Sequence, residues 1–170
     1  NIFLVKKRMD TKNFIINENC LLRINLNTIS LNYKKIQKNI SKTSTVSAVL
    51  KSNAYGLGLS YIATKLIEIG CNSFFLNSVK ETLHLRKICG NSDIYLLNGL
   101  VNINHKEINK VLDKNITPVI NSLEELEKLI KLKKSLSDCI RISLHFDTGI
   151  NRLGIRNNEL VKIKHICKQN

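Results

Sequence analysis

A lysine directly follows a short apolar segment within the stretch AVLKSNAYGLG, at residues 48–58. An amine held at the end of a buried strand, in a partly apolar setting, tends to have a lowered pKa and to become nucleophilic. Gly56 and Gly58 would let the backbone approach a ligand closely. The alternative is an ordinary strand-end lysine that reaches water, followed by a glycine turn. Lys51 is therefore a candidate catalytic residue.

A second unusual segment is HFDTGINRLG, at residues 145–154. Asp147, Thr148 and Gly149 predict a turn, and Arg152 lies just beyond it. The guanidinium group presents a fixed fork of donors that suits a carboxylate or another oxygen anion. The tripeptide DTG also occurs in aspartic proteases, but those enzymes are all-β and this chain is not. The remaining alternative to a binding role is a turn with a surface arginine.

Short apolar strands alternate with amphipathic helices along the chain. The pattern predicts strands at 20–26, 46–50, 74–76, 94–97, 117–120 and 140–146, and helices at 30–40, 60–69, 78–90, 106–112, 122–132 and 159–167. The pairs Ser78 with Glu81, and Ser122 with Glu125, have the spacing of capping boxes. Such alternation predicts an α/β fold with a parallel sheet and about five βα units after the first strand.

Two architectures fit this alternation, a doubly wound open sheet and part of an eight-stranded (β/α) barrel. Periodicity alone does not choose between them. In both, functional residues gather at the carboxyl ends of the strands. We therefore expect Lys51 and Arg152 on the same edge of the sheet.

The composition excludes several classes of protein. The chain has 170 residues and a net charge of +14, but its lysines are dispersed and only 5% of its residues are aromatic. No nucleic-acid surface is predicted, because such surfaces concentrate charge and favour arginine or interleaved aromatics. Five cysteines without a CxxC pair predict reduced thiols and a cytoplasmic protein. No metal site is predicted from the scattered histidines, and no membrane span from the short apolar runs.

Together the two segments resemble the alanine racemase family. AVLKSNAYGLG is similar to the family's AVVKANAYGHG-type signature, and FDTGINRLG is similar to its MDTGMGRLG-type segment. LRINLNTISLNYKKI, at residues 22–36, is similar to the family's opening strand and helix. The resemblance runs from about Leu22 to the end. It implies a partial (β/α)8 TIM-type barrel, to which this chain contributes about five βα units.

The resemblance also implies a cofactor, an activity and site residues. The cofactor would be pyridoxal 5′-phosphate (PLP), and the reaction would interconvert L-alanine and D-alanine to supply D-alanine for peptidoglycan. Lys51 matches the lysine that carries PLP and acts as acid and base on one face of the substrate α-carbon. Tyr55 matches the tyrosine that contacts the cofactor phosphate. Arg152 matches the arginine near the cofactor's phenolic oxygen and the substrate carboxylate, and His145 stands where the family commonly has a lysine.

The resemblance implies that the chain is incomplete. The family's second base is a tyrosine from a C-terminal β-domain that reaches in from the partner subunit, so we expect a homodimer for the full-length protein. Met9, the only methionine, is a candidate natural start within an N-terminal extension at residues 1–19. The resemblance implies that residues 20–170 are an incomplete barrel domain and that the β-domain is absent. Two other functions remain open, a non-catalytic PLP-binding barrel protein and an inactive truncated remnant.

Overall fold

The computed structural model describes residues 22–133 and 140–169. Predictions that concern the extension at residues 1–19, Cys20 or Cys139 lie outside these residues. The strands are β1 (Ala48–Val49), β2 (Ser73–Leu76), β3 (Asp93–Leu96), β4 (Ile116–Ile120) and β5 (Ser143–Leu144). The helices are α1 (Leu26–Lys38), α2 (Lys51–Tyr55), α3 (Leu59–Glu68), α4 (Val79–Ile88), α5 (His105–Asp113), α6 (Leu123–Lys133) and α7 (Leu160–Gln169), and a 3-10 turn at Asn157–Glu159 precedes α7.

The strands form one parallel sheet in the order β1-β2-β3-β4-β5. Each strand thus pairs with the next one along the chain, as in the wall of a (β/α) barrel. A doubly wound sheet would instead reverse its strand order at a switch point. Within the described residues the sheet does not close on itself. The prediction of a partial barrel with five βα units is confirmed.

The two faces of the sheet differ in burial. Alternate residues of β2 and β3 are almost fully buried in the core that the helices cover, among them Phe74 and Ile94. On the other face Val49, Phe75 and Tyr95 lie in register across three strands, and the rings of Phe75 and Tyr95 stack with centroids 4.5 Å apart. Val49 is 43% exposed. A closed barrel would place this face in its interior, whereas the open sheet leaves it partly exposed to water.

The predicted first strand at residues 20–26 is wrong for the residues that the structure describes. Residues 22–25 contain no strand, only a bridge residue at Ile24, and α1 begins four residues before the predicted Ser30. The cause is Asn25, whose side chain accepts hydrogen bonds from the backbone N–H groups of Asn27 and Thr28 at 3.0 and 3.1 Å. This N-cap stabilises the helix start and overrides the apolar strand pattern.

The described cysteines are free thiols. Cys71 and Cys89 are buried and Cys167 is exposed. Burial raises the pKa of the Cys89 thiol above its ordinary value. Buried thiols with such a pKa behave as small apolar core residues rather than as nucleophiles.

Candidate active site

Lys51 lies at the carboxyl end of β1, where the chain leaves the sheet. The N–H of Leu50 donates to the carbonyl of Phe75 at 2.9 Å, which keeps the backbone attached to β2 up to the residue before the lysine. The Lys51 side chain is half-buried, and it makes no hydrogen bond or ion pair with another described residue. Its ε-amine is therefore available to a ligand at this edge of the sheet.

The segment labelled α2 is not an ordinary right-handed α-helix. After Lys51 it is a single left-handed helical turn. Ser52, Asn53, Ala54 and Tyr55 have φ angles between 54° and 56°. Such a conformation costs a residue with a β-carbon about 1–2 kcal/mol, so four in succession must be held by their surroundings. Backbone bonds within the turn include Ala54 N–H to Leu50 O and Gly56 N–H to Ser52 O, both at 2.9 Å.

Tyr55 ends this turn and points its ring towards solvent. Its side chain is 62% exposed, and the hydroxyl has no partner among the described residues. Gly56 follows with φ at 84° and allows the chain to leave the turn. Because Lys51 and Tyr55 bracket one turn, the conformation of that turn determines where the phenol lies relative to the amine.

Arg152 lies in the loop after β5, which Asp147 organises. The Asp147 carboxylate accepts the backbone N–H groups of Gly149 and Asn151, each at 3.0 Å. These donors hold the pKa of the Asp147 carboxyl below its ordinary value. Gly154 closes the loop with φ at 116°, and a β-carbon there would lie 2.7 Å from the Asp147 nitrogen. In this chain the DTG tripeptide therefore shapes a loop.

The Arg152 side chain is exposed and lines a hollow of about 330 Å³. Asn121 and Ser122, which follow β4, also line this hollow, as do Arg156 and Glu159. The guanidinium makes no hydrogen bond or ion pair with the residues that the structure describes. Its donors are therefore available for an anion that enters this hollow.

The structure places Lys51 and Tyr55 in one turn and Arg152 in a separate loop. Lys51 follows β1 and Arg152 follows β5, at opposite ends of the strand order. Both segments come after the carboxyl ends of parallel strands, as the sequence predicts. No hydrogen bond or ion pair among the described residues joins them.

Several polar residues around these segments were missed as site residues by the sequence analysis. Glu81 was predicted only as a helix cap, yet its carboxylate accepts the N–H of Asn53 at 2.7 Å. Asn121, at the end of β4, faces His145 across 2.8 Å. The only sequence signal for Glu81 was its three-residue spacing from Ser78, which identifies a cap but no distant partner.

The donor set at this edge fits PLP. Lys51 supplies a primary amine for an aldehyde, Tyr55 a hydroxyl donor for a phosphate, and Arg152 a permanent cation for a phenolate or a carboxylate. All three side chains have unengaged polar atoms within the described part of the chain. The residues present therefore match three functional groups of that cofactor, the aldehyde, the phosphate and the phenolic oxygen.

Other kinds of site receive no support from the described residues. Across residues 22–133 and 140–169, no three His, Cys, Asp or Glu side chains are grouped so that they could hold a metal ion. No helix in the same ranges is long and apolar enough to cross a membrane.

Residues 24–170 match the model of the family described as "Alanine racemase, N-terminal domain". This match covers most of the chain, and the chain belongs to the alanine racemase family. An alanine racemase of Rickettsia africae (strain ESF-5) is 41% identical over 148 residues, which cover 85% of this chain and 40% of that protein. The chain thus spans about 40% of the length of the curated relatives that it matches.

Solved structures agree with this family assignment. The crystal structure of alanine racemase from Bartonella henselae with covalently bound pyridoxal phosphate matches at 33% identity and a TM-score of 0.74, over 82% of this chain and 38% of that chain. A histidine racemase from Leuconostoc mesenteroides subsp. sake matches at 24% identity and a TM-score of 0.71, over 85% of this chain and 38% of that one. The second similarity concerns the fold alone.

Proposed function

We propose that residues 20–170 are the first part of the PLP-binding barrel of an alanine racemase, preceded by an extension at residues 1–19. The complete protein would interconvert L-alanine and D-alanine. One observation carries this proposal: at the carboxyl end of β1, Lys51 presents an amine that has no partner among the described residues, and the turn that carries Tyr55 follows at once. Amines in this position of a (β/α) barrel lie where active sites are built.

Each of the three residues would have a separate task. Lys51 would bind PLP covalently and move a proton to and from one face of the substrate α-carbon. Tyr55 would donate its hydroxyl to the phosphate, and Arg152 would hold the phenolic oxygen and the substrate carboxylate. When bound, PLP supplies an electron sink that stabilises the negative charge left on the α-carbon. Racemisation also requires a second base on the opposite face of the α-carbon. We propose that this base comes from a part of the full-length protein outside residues 20–170.

The choice of alanine as substrate rests on sequence similarity. Relatives near 40% identity are alanine racemases, whereas a racemase of another amino acid shares the fold at 24% identity. We further propose that the full-length protein is a cytoplasmic homodimer that supplies D-alanine for peptidoglycan. A racemase assay of the full-length protein with both alanine enantiomers and with histidine tests the substrate directly.

The first experiment is to locate the lysine that reacts with PLP. PLP is added to the purified chain, the adduct is fixed with borohydride, and the modified lysine is mapped by peptide mass. We expect modification at Lys51, its loss in Lys51→Ala, and its retention in Lys80→Ala, a control that removes an exposed lysine from α4. A reducible adduct that persists in Lys51→Ala, or labelling spread over the surface lysines, would contradict the proposal.

A further inference from the structure

The carboxylate of Glu81 connects two segments that are distant in sequence. Glu81 lies in the first turn of α4, where its own N–H donates to the Ser78 hydroxyl at 3.2 Å. One carboxylate oxygen of Glu81 accepts a hydrogen bond from the Ser78 hydroxyl at 3.1 Å. The other oxygen accepts one from the backbone N–H of Asn53 at 2.7 Å. The side chain thus supports the Ser78 hydroxyl that caps α4, and it also holds the turn that follows Lys51.

Asn53 is fixed by its other polar atoms as well. Its carbonyl accepts the N–H of Gly58 at 2.9 Å, and its side-chain oxygen accepts the N–H of Leu59, the first residue of α3, at 2.8 Å. The middle of the left-handed turn is therefore bonded to the start of α3 on one side and to the start of α4 on the other. We call this arrangement of Glu81 and Asn53 the turn clamp.

The turn needs such a clamp because packing holds little of it. Ser52, Asn53 and Tyr55 are exposed, and only Ala54 is buried. Left-handed backbone is unfavourable for Ser52, Ala54 and Tyr55, and burial of one alanine offers little compensation. Hydrogen bonds to a charged acceptor are stronger than those to a neutral one, which makes the Glu81 carboxylate a suitable holder of the Asn53 N–H.

We propose that Glu81 is a positioning residue for the PLP site, because it fixes the turn that sets Tyr55 relative to Lys51. The consequence for PLP rests on the proposed function, whereas the clamp itself does not. If the turn relaxed towards right-handed or extended backbone, the position of the Tyr55 hydroxyl relative to the Lys51 amine would change. Glu81 itself would not touch the cofactor.

Three substitutions distinguish the clamp from simple helix capping. Glu81→Ala removes both roles. Glu81→Asp keeps a capping carboxylate on α4 but is one methylene too short to reach Asn53, while Glu81→Gln keeps an oxygen that can accept the N–H. The matched control is Glu107→Ala, because Glu107 has the same position in α5 but among the described residues it bonds only within its own capping box, at Asn104.

The test uses two readouts on the full chain. Amide hydrogen exchange in residues 52–58 reports on the turn without PLP, and borohydride-trapped labelling of Lys51 at increasing PLP concentration reports on the site. For Glu81→Ala and Glu81→Asp we expect about tenfold faster exchange at the Asn53 amide and about a tenfold higher PLP requirement. Glu107→Ala should stay within about threefold of wild type, and Glu81→Gln, which keeps a neutral acceptor, should fall between wild type and Glu81→Ala.

Several outcomes would overturn the proposal. If exchange at the Asn53 amide is unchanged in Glu81→Asp, and circular dichroism shows that the variant is folded, Glu81 does not hold the turn and the clamp is disproved. Faster exchange with unchanged Lys51 labelling would leave a clamp with no positioning role. If the wild-type chain does not label Lys51, the proposed function fails and the positioning role fails with it. The exchange data then still report whether Glu81 holds the turn.

Discussion

The imidazole of His145 is hydrogen bonded to the side chain of Asn121, with 2.8 Å between Nδ1 and Oδ1. The Asn121 amide nitrogen donates to the carbonyls of Leu97 and Val119, at 3.0 and 2.9 Å. Its oxygen must therefore be the atom that faces the imidazole, and it can only accept. It follows that Nδ1 of His145 carries a proton. The chain therefore places a hydrogen-bond donor directly after β5.

Removal of the imidazole should destabilise the chain, because it leaves the oxygen of buried Asn121 without its protein donor. For His145→Ala we expect a loss of about 1 kcal/mol in the free energy of unfolding. His84→Ala is the control, since His84 is exposed like His145 but among described residues bonds only to the hydroxyl of Ser60, which is not fully buried. Urea denaturation measures both variants, and nitrogen NMR of the neutral imidazole should show the proton on Nδ1. A neutral ring protonated on Nε2 would contradict the assignment.

Arg152 should be dispensable for covalent attachment of PLP but needed for turnover. It lies after β5, while Lys51 follows β1, and no hydrogen bond among described residues connects the two. For Arg152→Ala we expect Lys51 labelling to persist and the racemase rate of the full-length protein to fall by about 10²-fold. Arg156→Ala, which removes another cation from the same hollow, serves as the control. Equal loss of activity in both variants would argue against a specific role for Arg152.

The sequence predicted the parts of this fold that depend on local pattern. Alternating strands and capped helices indicated five βα units, and the position of Lys51 after an apolar strand indicated the functional edge of the sheet. The sequential strand order, which the structure supplies, separates a barrel wall from a doubly wound sheet. Periodicity could not provide it, because strand order is set by which strands pair and not by their spacing.

The interactions that shape the candidate site were beyond sequence reasoning for a physical reason. The bond from Asn53 to Glu81 joins residues 28 positions apart. The left-handed turn runs through Ser52, Ala54 and Tyr55, none of which prefers positive φ, so only tertiary contacts can stabilise it. Asn25 differs, because capping is a local property: its side chain accepts the N–H groups of Asn27 and Thr28 and outweighs the apolar strand pattern around it.

The loop that carries Arg152 should loosen in acid. Hydrogen bonds from Gly149 and then Asn151 lower the pKa of Asp147, so the charged carboxylate is the form that the folded loop binds. The stabilisation is present above the carboxyl's ordinary pKa and is lost as the pH falls through the lower pKa of the folded chain. In a carbon NMR titration, Asp147 should titrate below 3.8 and the Gly149 and Asn151 amides should shift with it. Asp147→Asn should abolish those amide shifts. A titration midpoint of Asp147 at or above 3.8 would contradict the claim that its carboxylate stabilises this loop.

Arg86 should stabilise the edge of the sheet at which the strands begin, opposite the edge where Lys51 lies. Its guanidinium, on α4, donates to five backbone carbonyls at 2.8–3.2 Å, those of Cys89, Gly90, Ser92, Lys114 and Asn115. These carbonyls lie before the amino ends of β3 and β4, and together they need the fork of donors that only arginine provides. For Arg86→Lys we therefore expect a loss of about 2–3 kcal/mol in the free energy of unfolding, measured by urea denaturation.

The control for this prediction is Lys87→Ala, which removes the exposed neighbour of Arg86 and should change stability by less than about 0.5 kcal/mol. Because Arg86 contacts the amino ends of the strands, and Lys51 lies at a carboxyl end, folded Arg86→Lys should keep Lys51-specific labelling by PLP. Loss of that labelling below the denaturation midpoint would show that the two edges of this open sheet are coupled. A stability equal to that of wild type would mean that the five carbonyls are satisfied by water when the guanidinium is absent.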